Sequence, residues 1–140
     1  MALICDTSGL VAYFDRSDKY HSAVSDAIES DYGPFIISPY VVAELDYIVV
    51  TRRGIDAEIA MLEELSSDAW KLATFDASAI ASARQIVERY RDQKIGLTDA
   101  SLSILADVYH TSSILTLDRR HFSVIRPASG KAFQLLPAKI

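Results

Sequence analysis

The chain has 140 residues, of which half are hydrophobic, and its formal net charge is −5. This length is typical of one domain, and we expect residues 1–140 to form a single one. No window approaches the roughly 20 apolar residues of a membrane helix, no signal-peptide pattern is present, and the single cysteine, Cys5, excludes an internal disulfide. We therefore expect a cytoplasmic protein. The negative charge argues only weakly against nucleic-acid binding, because metal-binding carboxylates would contribute several of these charges.

Short apolar runs alternate with amphipathic stretches along the chain. Strand-like runs lie at about 2–5, 34–37, 70–74, 112–116 and 133–136, and helical patterns lie at about 7–15, 18–31, 39–52, 55–67, 77–92 and 98–109. Ser38 followed by Pro39 is a good helix start, Thr98 can cap a helix beginning at Asp99, and Gly54 indicates a helical hairpin. This alternation predicts an α/β fold with a central, mostly parallel sheet of about five strands flanked by helices.

Four acidic residues stand at the ends of these elements. Asp6 and Asp118 follow strand-like runs, Asp99 lies at a helix start, and Glu44 lies at the edge of the apolar stripe of the helix from Pro39. The carboxyl ends of parallel strands share one edge of the sheet, where ligands bind. Carboxylates that meet there repel each other unless a cation lies between them. The sequence therefore predicts a site for a hard divalent ion such as Mg²⁺ or Mn²⁺.

Each acid alone has an ordinary structural explanation. Asp6 can cap the following helix, Asp99 can stabilise a helix through its dipole, and Asp118 can be a turn residue. Glu44 can be a boundary glutamate that extends into solvent. The placement of all four at one end of one sheet favours a shared site.

Four segments carry a resemblance to a known family. They are Ile4-Cys5-Asp6-Thr7-Ser8, Ser38-Pro39-Tyr40-Val41-Val42-Ala43-Glu44-Leu45, Leu97-Thr98-Asp99-Ala100 and Leu115-Thr116-Leu117-Asp118-Arg119-Arg120-His121-Phe122. In this order they resemble PIN-domain ribonucleases and, more narrowly, the VapC toxins of bacterial and archaeal toxin–antitoxin pairs. The resemblance implies a three-layer PIN fold and a Mg²⁺- or Mn²⁺-dependent endoribonuclease that cuts structured RNA, commonly tRNA or rRNA. It also implies a homodimer and a small antitoxin encoded beside the toxin.

The resemblance assigns the site residues. The acids of the family map onto Asp6, Glu44, Asp99 and Asp118, and its hydroxyl near the last acid maps onto Thr116. We expect Asp6, Asp99 and Asp118 to bind the metal, with Glu44 binding directly or through water. Thr7, Ser8 and Thr116 would orient the carboxylates by hydrogen bonds. Some relatives carry a further acid after the last one, where this chain has Arg119, Arg120 and His121.

Basic residues near the predicted pocket are candidates for RNA contact. We expect Arg119 and Arg120, with His121 and Arg126, to lie on a loop beside the pocket, where phosphates would arrive. A second candidate patch comprises Arg84, Arg89, Arg91 and Lys94. Apolar residues of the two helices around Gly54, such as Tyr47 and Ile59, could supply a dimer face or an antitoxin groove, although periodicity alone favours ordinary core packing for each of them and only the resemblance favours the dimer.

Other functions fit the same acids less well. A Mg²⁺-binding receiver-like domain would need a lysine after a late strand, where this chain has arginines. An inactive PIN fold used only for binding is disfavoured by the presence of all four acids. A metal-independent ribonuclease would use histidines as acid and base, but His21, His110 and His121 show no catalytic spacing.

Overall fold

A computed structural model describes residues 1–127 and 129–140. The strands are β1 (Leu3–Cys5), β2 (Phe35–Ile37), β3 (Trp70–Leu72), β4 (Ser113–Leu115) and β5 (Gln134–Leu136). The helices in the described part of the chain are α1 (Thr7–Phe14), α2 (His21–Glu29), α3 (Pro39–Arg53), α4 (Ile55–Leu65), α5 (Ala77–Arg89), α6 (Leu97–Val108) and α7 (Arg119–Phe122), with a 3₁₀ turn at Arg91–Gln93. Every predicted strand and helix is present within a few residues at each end. The 3₁₀ turn and α7 were not predicted.

The five strands form one sheet in the order β3-β2-β1-β4-β5, and all neighbouring pairs are parallel. The predicted fold class is therefore confirmed. The chain moves from β1 outward through β2 to β3, and then returns to the other side of β1 for β4 and β5. The direction of winding reverses between β1 and β4, and ligands bind at the carboxyl ends of the strands at such a reversal.

The central strand β1 is buried on both faces. Leu3, Ile4 and Cys5 are all fully inaccessible to solvent, as expected for a parallel strand covered by helices on both sides. Burial raises the pKa of the Cys5 thiol well above its ordinary value, so this residue is an inert part of the core. In the described residues, no helix is long and apolar enough to cross a membrane.

Helix α1 packs closely against the end of β4 because residue 9 has no side chain. A Cβ atom on Gly9 would lie 2.9 Å from Cγ and 3.0 Å from the carbonyl oxygen of Leu115. This close approach brings the first turn of α1 next to the residues that follow β4. The glycine at position 9 therefore helps to bring these two segments of the chain together.

The starts and ends of the remaining helices follow mostly from local sequence. The Ser38 hydroxyl accepts a hydrogen bond from the backbone of Tyr40, and Pro39 occupies the first turn of α3. Gly54, at a φ of 89°, ends α3 and begins α4, which confirms the predicted helical hairpin. The expectation for Thr98 was wrong, because α6 begins at Leu97 and the hydroxyl of Thr98 is used elsewhere.

Candidate active site

The four acidic residues converge at the carboxyl edge of the sheet. An open cleft of about 410 Å³ is lined by Asp6, Thr7, Ser8, Val11, Glu44, Ile48, Arg52, Asp99 and Asp118. These residues come from the end of β1, from α1 and α3, from the first turn of α6 and from the segment after β4. The sheet therefore brings together residues that are far apart in sequence, as expected from the parallel arrangement.

The carboxylate of Asp6 is fixed by three hydrogen bonds. Its Oδ1 accepts from the backbone N–H of Thr7 at 2.8 Å, and its Oδ2 accepts from the hydroxyls of Ser8 at 2.9 Å and Thr116 at 2.7 Å. Burial nevertheless raises the pKa of Asp6, because these hydrogen bonds only partly offset desolvation. Asp6 also caps α1, so its structural and proposed functional roles coexist. A buried carboxylate that is held without a cation is expensive to ionise.

The hydroxyls of Thr116 and Ser8 connect the segment after β1 with the segment after β4. Thr116 is fully buried, and its hydroxyl accepts from the backbone N–H of Asp118 at 2.9 Å while it donates to Asp6. The Ser8 hydroxyl accepts from the backbone N–H of Leu117 at 2.9 Å. The two hydroxyls thus fix the position of the Asp118 backbone relative to Asp6.

Both carboxylate oxygens of Glu44 are held by threonines. The hydroxyl of Thr7 donates to Oε1 and that of Thr98 to Oε2, each at 2.8 Å. Glu44 as a whole is exposed to solvent, so its position beside the apolar stripe does not bury it. Instead, two hydroxyls from α1 and α6 hold its carboxylate over the cleft.

The carboxyl group of Asp99 has a strongly raised pKa. Burial, with the neighbouring Asp6 as the next largest cause, raises the pKa of Asp99 from 3.8 to about 7, while His121 opposes the shift. Its side chain is 19% exposed and reaches the cleft from the first turn of α6. Such a group is a candidate for function, because a nearby cation would restore its charged form.

Asp118 and His121 form a closely bonded pair on α7. Asp118 Oδ1 accepts from the backbone N–H of His121 at 3.1 Å, and Oδ2 lies 2.9 Å from His121 Nδ1. The hydrogen bond with Asp118 is the main cause that raises the pKa of His121. The same Nδ1 is 3.8 Å from Oδ2 of Asp99. His121 therefore touches two of the four acids, although its spacing from other histidines gave no sign of this.

The donor set of the cleft fits a divalent cation. It consists of carboxylate oxygens with one imidazole nitrogen, and one ligand atom from each of Asp99, Asp118 and His121 can be chosen within 4.8 Å of the others. Burial and mutual repulsion raise the pKa values of Asp6 and Asp99, and a bound cation would favour their charged forms. Oxygen-rich sites of this kind suit Mg²⁺ and Mn²⁺.

The arginines after Asp118 occupy different environments. Arg119 and Arg120 lie on helix α7, so the loop expected there was wrong for them, whereas Arg126 lies in the irregular segment after α7. The guanidinium of Arg119 donates to the carbonyl of Pro137, and its Nε is buried without a hydrogen-bond partner. Arg120 is exposed. Arg119 thus anchors the C-terminal segment, whereas Arg120 is available to a ligand from solvent.

Three residues of the site were missed by sequence reasoning. Thr98 was interpreted as a cap, His121 was considered as a catalytic base and as part of the basic segment beside the pocket, and Arg52, which lines the cleft, was not considered. Helical periodicity could have indicated Arg52, because it follows Glu44 by eight residues on α3 and therefore shares its face. No short-range pattern indicates the contacts of Thr98 or His121.

The chain is similar in sequence and in fold to known proteins. The PIN domain family profile matches residues 3–126. The chain is 53% identical over 135 residues to Ribonuclease VapC26 of Mycobacterium tuberculosis, which covers 96% of this chain and 100% of that protein. Among solved structures, VapC20 of Mycobacterium tuberculosis, described as a Sarcin-Ricin loop cleaving toxin, superposes with a TM-score of 0.75 at 18% identity over 81% of this chain and 87% of that one. VapBC2 of Rickettsia felis, bound to a DNA fragment from its promoter, gives 0.67 at 17% identity over 96% and 97%.

Proposed function

The chain belongs to the PIN-domain family, within its VapC branch, and from this premise we propose that it is a divalent-metal-dependent endoribonuclease acting as the toxin of a toxin–antitoxin pair. The observation that carries this proposal is the convergence of Asp6, Glu44, Asp99 and Asp118 in one open cleft. Structured RNA such as tRNA or rRNA is the proposed substrate. The cytoplasm, where such RNA is found, is the proposed location.

The proposed chemistry is hydrolysis of a phosphodiester bond. A divalent ion bound by Asp6, Asp99 and Asp118 would lower the pKa of a water, orient the phosphate and stabilise the leaving oxygen. The chain itself supplies rigid placement of these ligands. Ser8 and Thr116 hold Asp6 in one orientation, which avoids the cost of ordering the carboxylate during the reaction.

The proposed role of the Glu44 carboxylate is to bind a water molecule or the metal ion in the cleft, rather than to pack in the core. Its two oxygens each accept from a threonine hydroxyl, and each oxygen has further lone pairs. The carboxylate can therefore hold a water over the cleft or join the metal ligands while it stays oriented. Thr7 and Thr98 are positioning residues in this proposal, because they act through Glu44.

Cations beside the cleft would guide the RNA strand. Arg52 lines the cleft itself, and Arg120 is exposed on α7 next to Asp118. Glu44 and Arg52 are eight residues apart on α3, or about 12 Å along the helix axis. Arg52 would thus contact a phosphate away from the cleaved one. Of the two arginines first expected to bind RNA, Arg120 is the better candidate, since Arg119 is tied to Pro137.

The helical hairpin offers a surface for protein partners. Tyr47, Ile55, Ile59 and Leu62 on α3 and α4 are 70%, 64%, 56% and 40% exposed. Exposed apolar residues grouped in this way commonly mark protein interfaces. We propose that this surface serves a VapB-like antitoxin or a second copy of the chain in a homodimer. Light scattering of the chain alone and with its antitoxin would separate the two uses.

RNA cleavage by purified protein, freed of antitoxin, tests the central proposal. The parent should cut RNA with Mg²⁺ or Mn²⁺ and stop when EDTA is added. Asp99→Asn keeps the shape of the side chain but removes its charge, so cutting should fall by at least about a hundredfold, while circular dichroism stays unchanged. Full activity of this variant would contradict the proposed site. Binding of RNA and metal by the parent without any cleavage would instead identify an inactive PIN-fold binding module.

A salt series tests the proposed RNA track. Each lost phosphate contact should reduce the slope of log binding constant against log salt by about 0.7 to 0.9. We expect this reduction for Arg52→Ala and for Arg120→Ala, and none for the control Lys71→Ala, which changes an exposed residue on β3 at the outer edge of the sheet. If the two arginine variants keep the slope of the parent, RNA does not follow this path.

A further inference from the structure

The ring of His121 lies between two of the proposed metal ligands. Its Nδ1 is 2.9 Å from Oδ2 of Asp118 and 3.8 Å from Oδ2 of Asp99, and the side chain is 25% exposed. The backbone N–H of His121 holds the other oxygen of Asp118, Oδ1, at 3.1 Å. The Asp118 carboxylate is therefore fixed with one oxygen on the helix backbone and the other facing the imidazole and the cleft.

We propose that His121 is itself a ligand of the divalent ion, through Nδ1 and together with Asp99 and Asp118. This inference rests on the proposed metal-dependent function. Ligand atoms of one ion lie about 2.0 to 2.2 Å from it, so two of them can be at most about 4.4 Å apart. Both distances from Nδ1 meet this limit. One ligand atom from each of the three residues lies within 4.8 Å of the others. A small rotation of one carboxylate would therefore bring all three ligand atoms within reach of one ion.

A nitrogen ligand changes which ion the site prefers. Mg²⁺ takes oxygen ligands almost exclusively, whereas imidazole suits first-row transition metals, whose affinities rise from Mn²⁺ towards Cu²⁺. A carboxylate at position 121 would offer oxygen where this chain offers the nitrogen of His121. The chain should therefore bind Mn²⁺ and Co²⁺ in preference to Mg²⁺, and more strongly than an all-carboxylate site would.

The decisive measurement is pulsed electron paramagnetic resonance on the full-length protein loaded with Mn²⁺. A nitrogen bound to Mn²⁺ modulates the electron spin echo, so the parent should show this modulation and His121→Gln should lose it. His110→Asn is the matched control, because His110 is exposed and has a φ of 51°, which asparagine tolerates. This control should keep the modulation.

Calorimetry gives a second, independent measurement with the metals alone. His121→Asp replaces the nitrogen ligand by oxygen, so the ratio of the Kd for Mg²⁺ to the Kd for Mn²⁺ should fall by at least about tenfold relative to the parent. His110→Asn should leave the ratio unchanged. A purely orienting role of His121 towards Asp118 would weaken both metals together and leave the ratio constant.

The possible outcomes separate this inference from the proposed function. Absence of nitrogen modulation in the Mn²⁺-loaded parent, or its persistence in His121→Gln, would overturn the ligand assignment. Metal-dependent cleavage and its loss in Asp99→Asn would then still support the nuclease. Failure of the parent to bind Mn²⁺ at all would overturn both.

Discussion

Asp99 should destabilise the metal-free protein as the pH rises. Its pKa is 3.8 in an unfolded chain and about 7 in the fold, mainly through burial. Between these values the folded state keeps a proton that the unfolded state has lost, so the free energy of unfolding decreases with increasing pH. At about 1.4 kcal/mol per pH unit the full effect is about 4 kcal/mol. The side chain is 19% exposed, and solvent screening reduces this to about 2 to 4 kcal/mol.

Asp99→Asn removes this penalty and should stabilise the protein in EDTA. Well below pH 3.8 the side chain is neutral in both states, so parent and variant should unfold at nearly equal urea concentrations. By pH 8 the variant should be more stable by about 2 to 4 kcal/mol, measured as the difference between two urea curves. Asp68→Asn, in the exposed turn before β3, is the control, and its difference from the parent should stay nearly constant with pH.

Metal should reduce the difference in stability between the two proteins. An ion at a hundred times its Kd stabilises the folded parent by about 2.7 kcal/mol, and the variant should gain less because it has lost a charged ligand. The reasoning would be refuted if Asp99→Asn were no more stable than the parent at pH 8 in EDTA. A difference that does not change with pH would refute it equally, since packing alone would produce such a result.

Three further substitutions test how the site is held together. Gly9→Ala should lower the free energy of unfolding by about 1 to 3 kcal/mol, because the added Cβ would meet Leu115. The control Gly96→Ala, whose Cβ would have nothing within 4 Å, should change the free energy of unfolding little. Equal effects in thermal or urea unfolding would contradict the close packing of α1. Thr116→Val should raise the pKa of Asp6 further, since it removes a hydrogen bond that lowers it, and the acidic limb of the cleavage pH profile should move to higher pH. Thr98→Val should slow cleavage about tenfold or more without unfolding the protein, and an unchanged rate would remove Thr98 from the site.

The sequence predicted the sheet and the convergence of the acids because both depend on local patterns. Buried parallel strands appear as short apolar runs, and residues that follow such strands meet at one edge whatever the details of packing. Asp6, Asp99 and Asp118 could therefore be assigned to one site from their positions alone. The Ser38-Pro39 start of α3 is equally local, since its hydrogen bond spans two residues.

The parts that could not be predicted depend on contacts between distant side chains. Thr98 donates to Glu44 across 54 residues, and Arg119 reaches the carbonyl of Pro137 across 18 residues. Local patterns instead predicted a helix cap for Thr98 and an RNA-contacting cation for Arg119. Helix α7 has only four residues, which is too short to show a helical period.

Neutral hydroxyl groups, rather than lysine or arginine side chains, surround the acids, and this leaves the negative charge of the carboxylates available to a metal ion. In the described residues, no lysine or arginine forms an ion pair with Asp6, Glu44, Asp99 or Asp118, and the one basic side chain paired with them is that of His121. A bound lysine or arginine would neutralise the carboxylates and compete with a metal ion. Serine and threonine hydroxyls orient a carboxylate by hydrogen bonds and leave its full charge for a cation. The cost of this arrangement is the raised pKa of Asp6 and Asp99, and a divalent ion would remove it on binding.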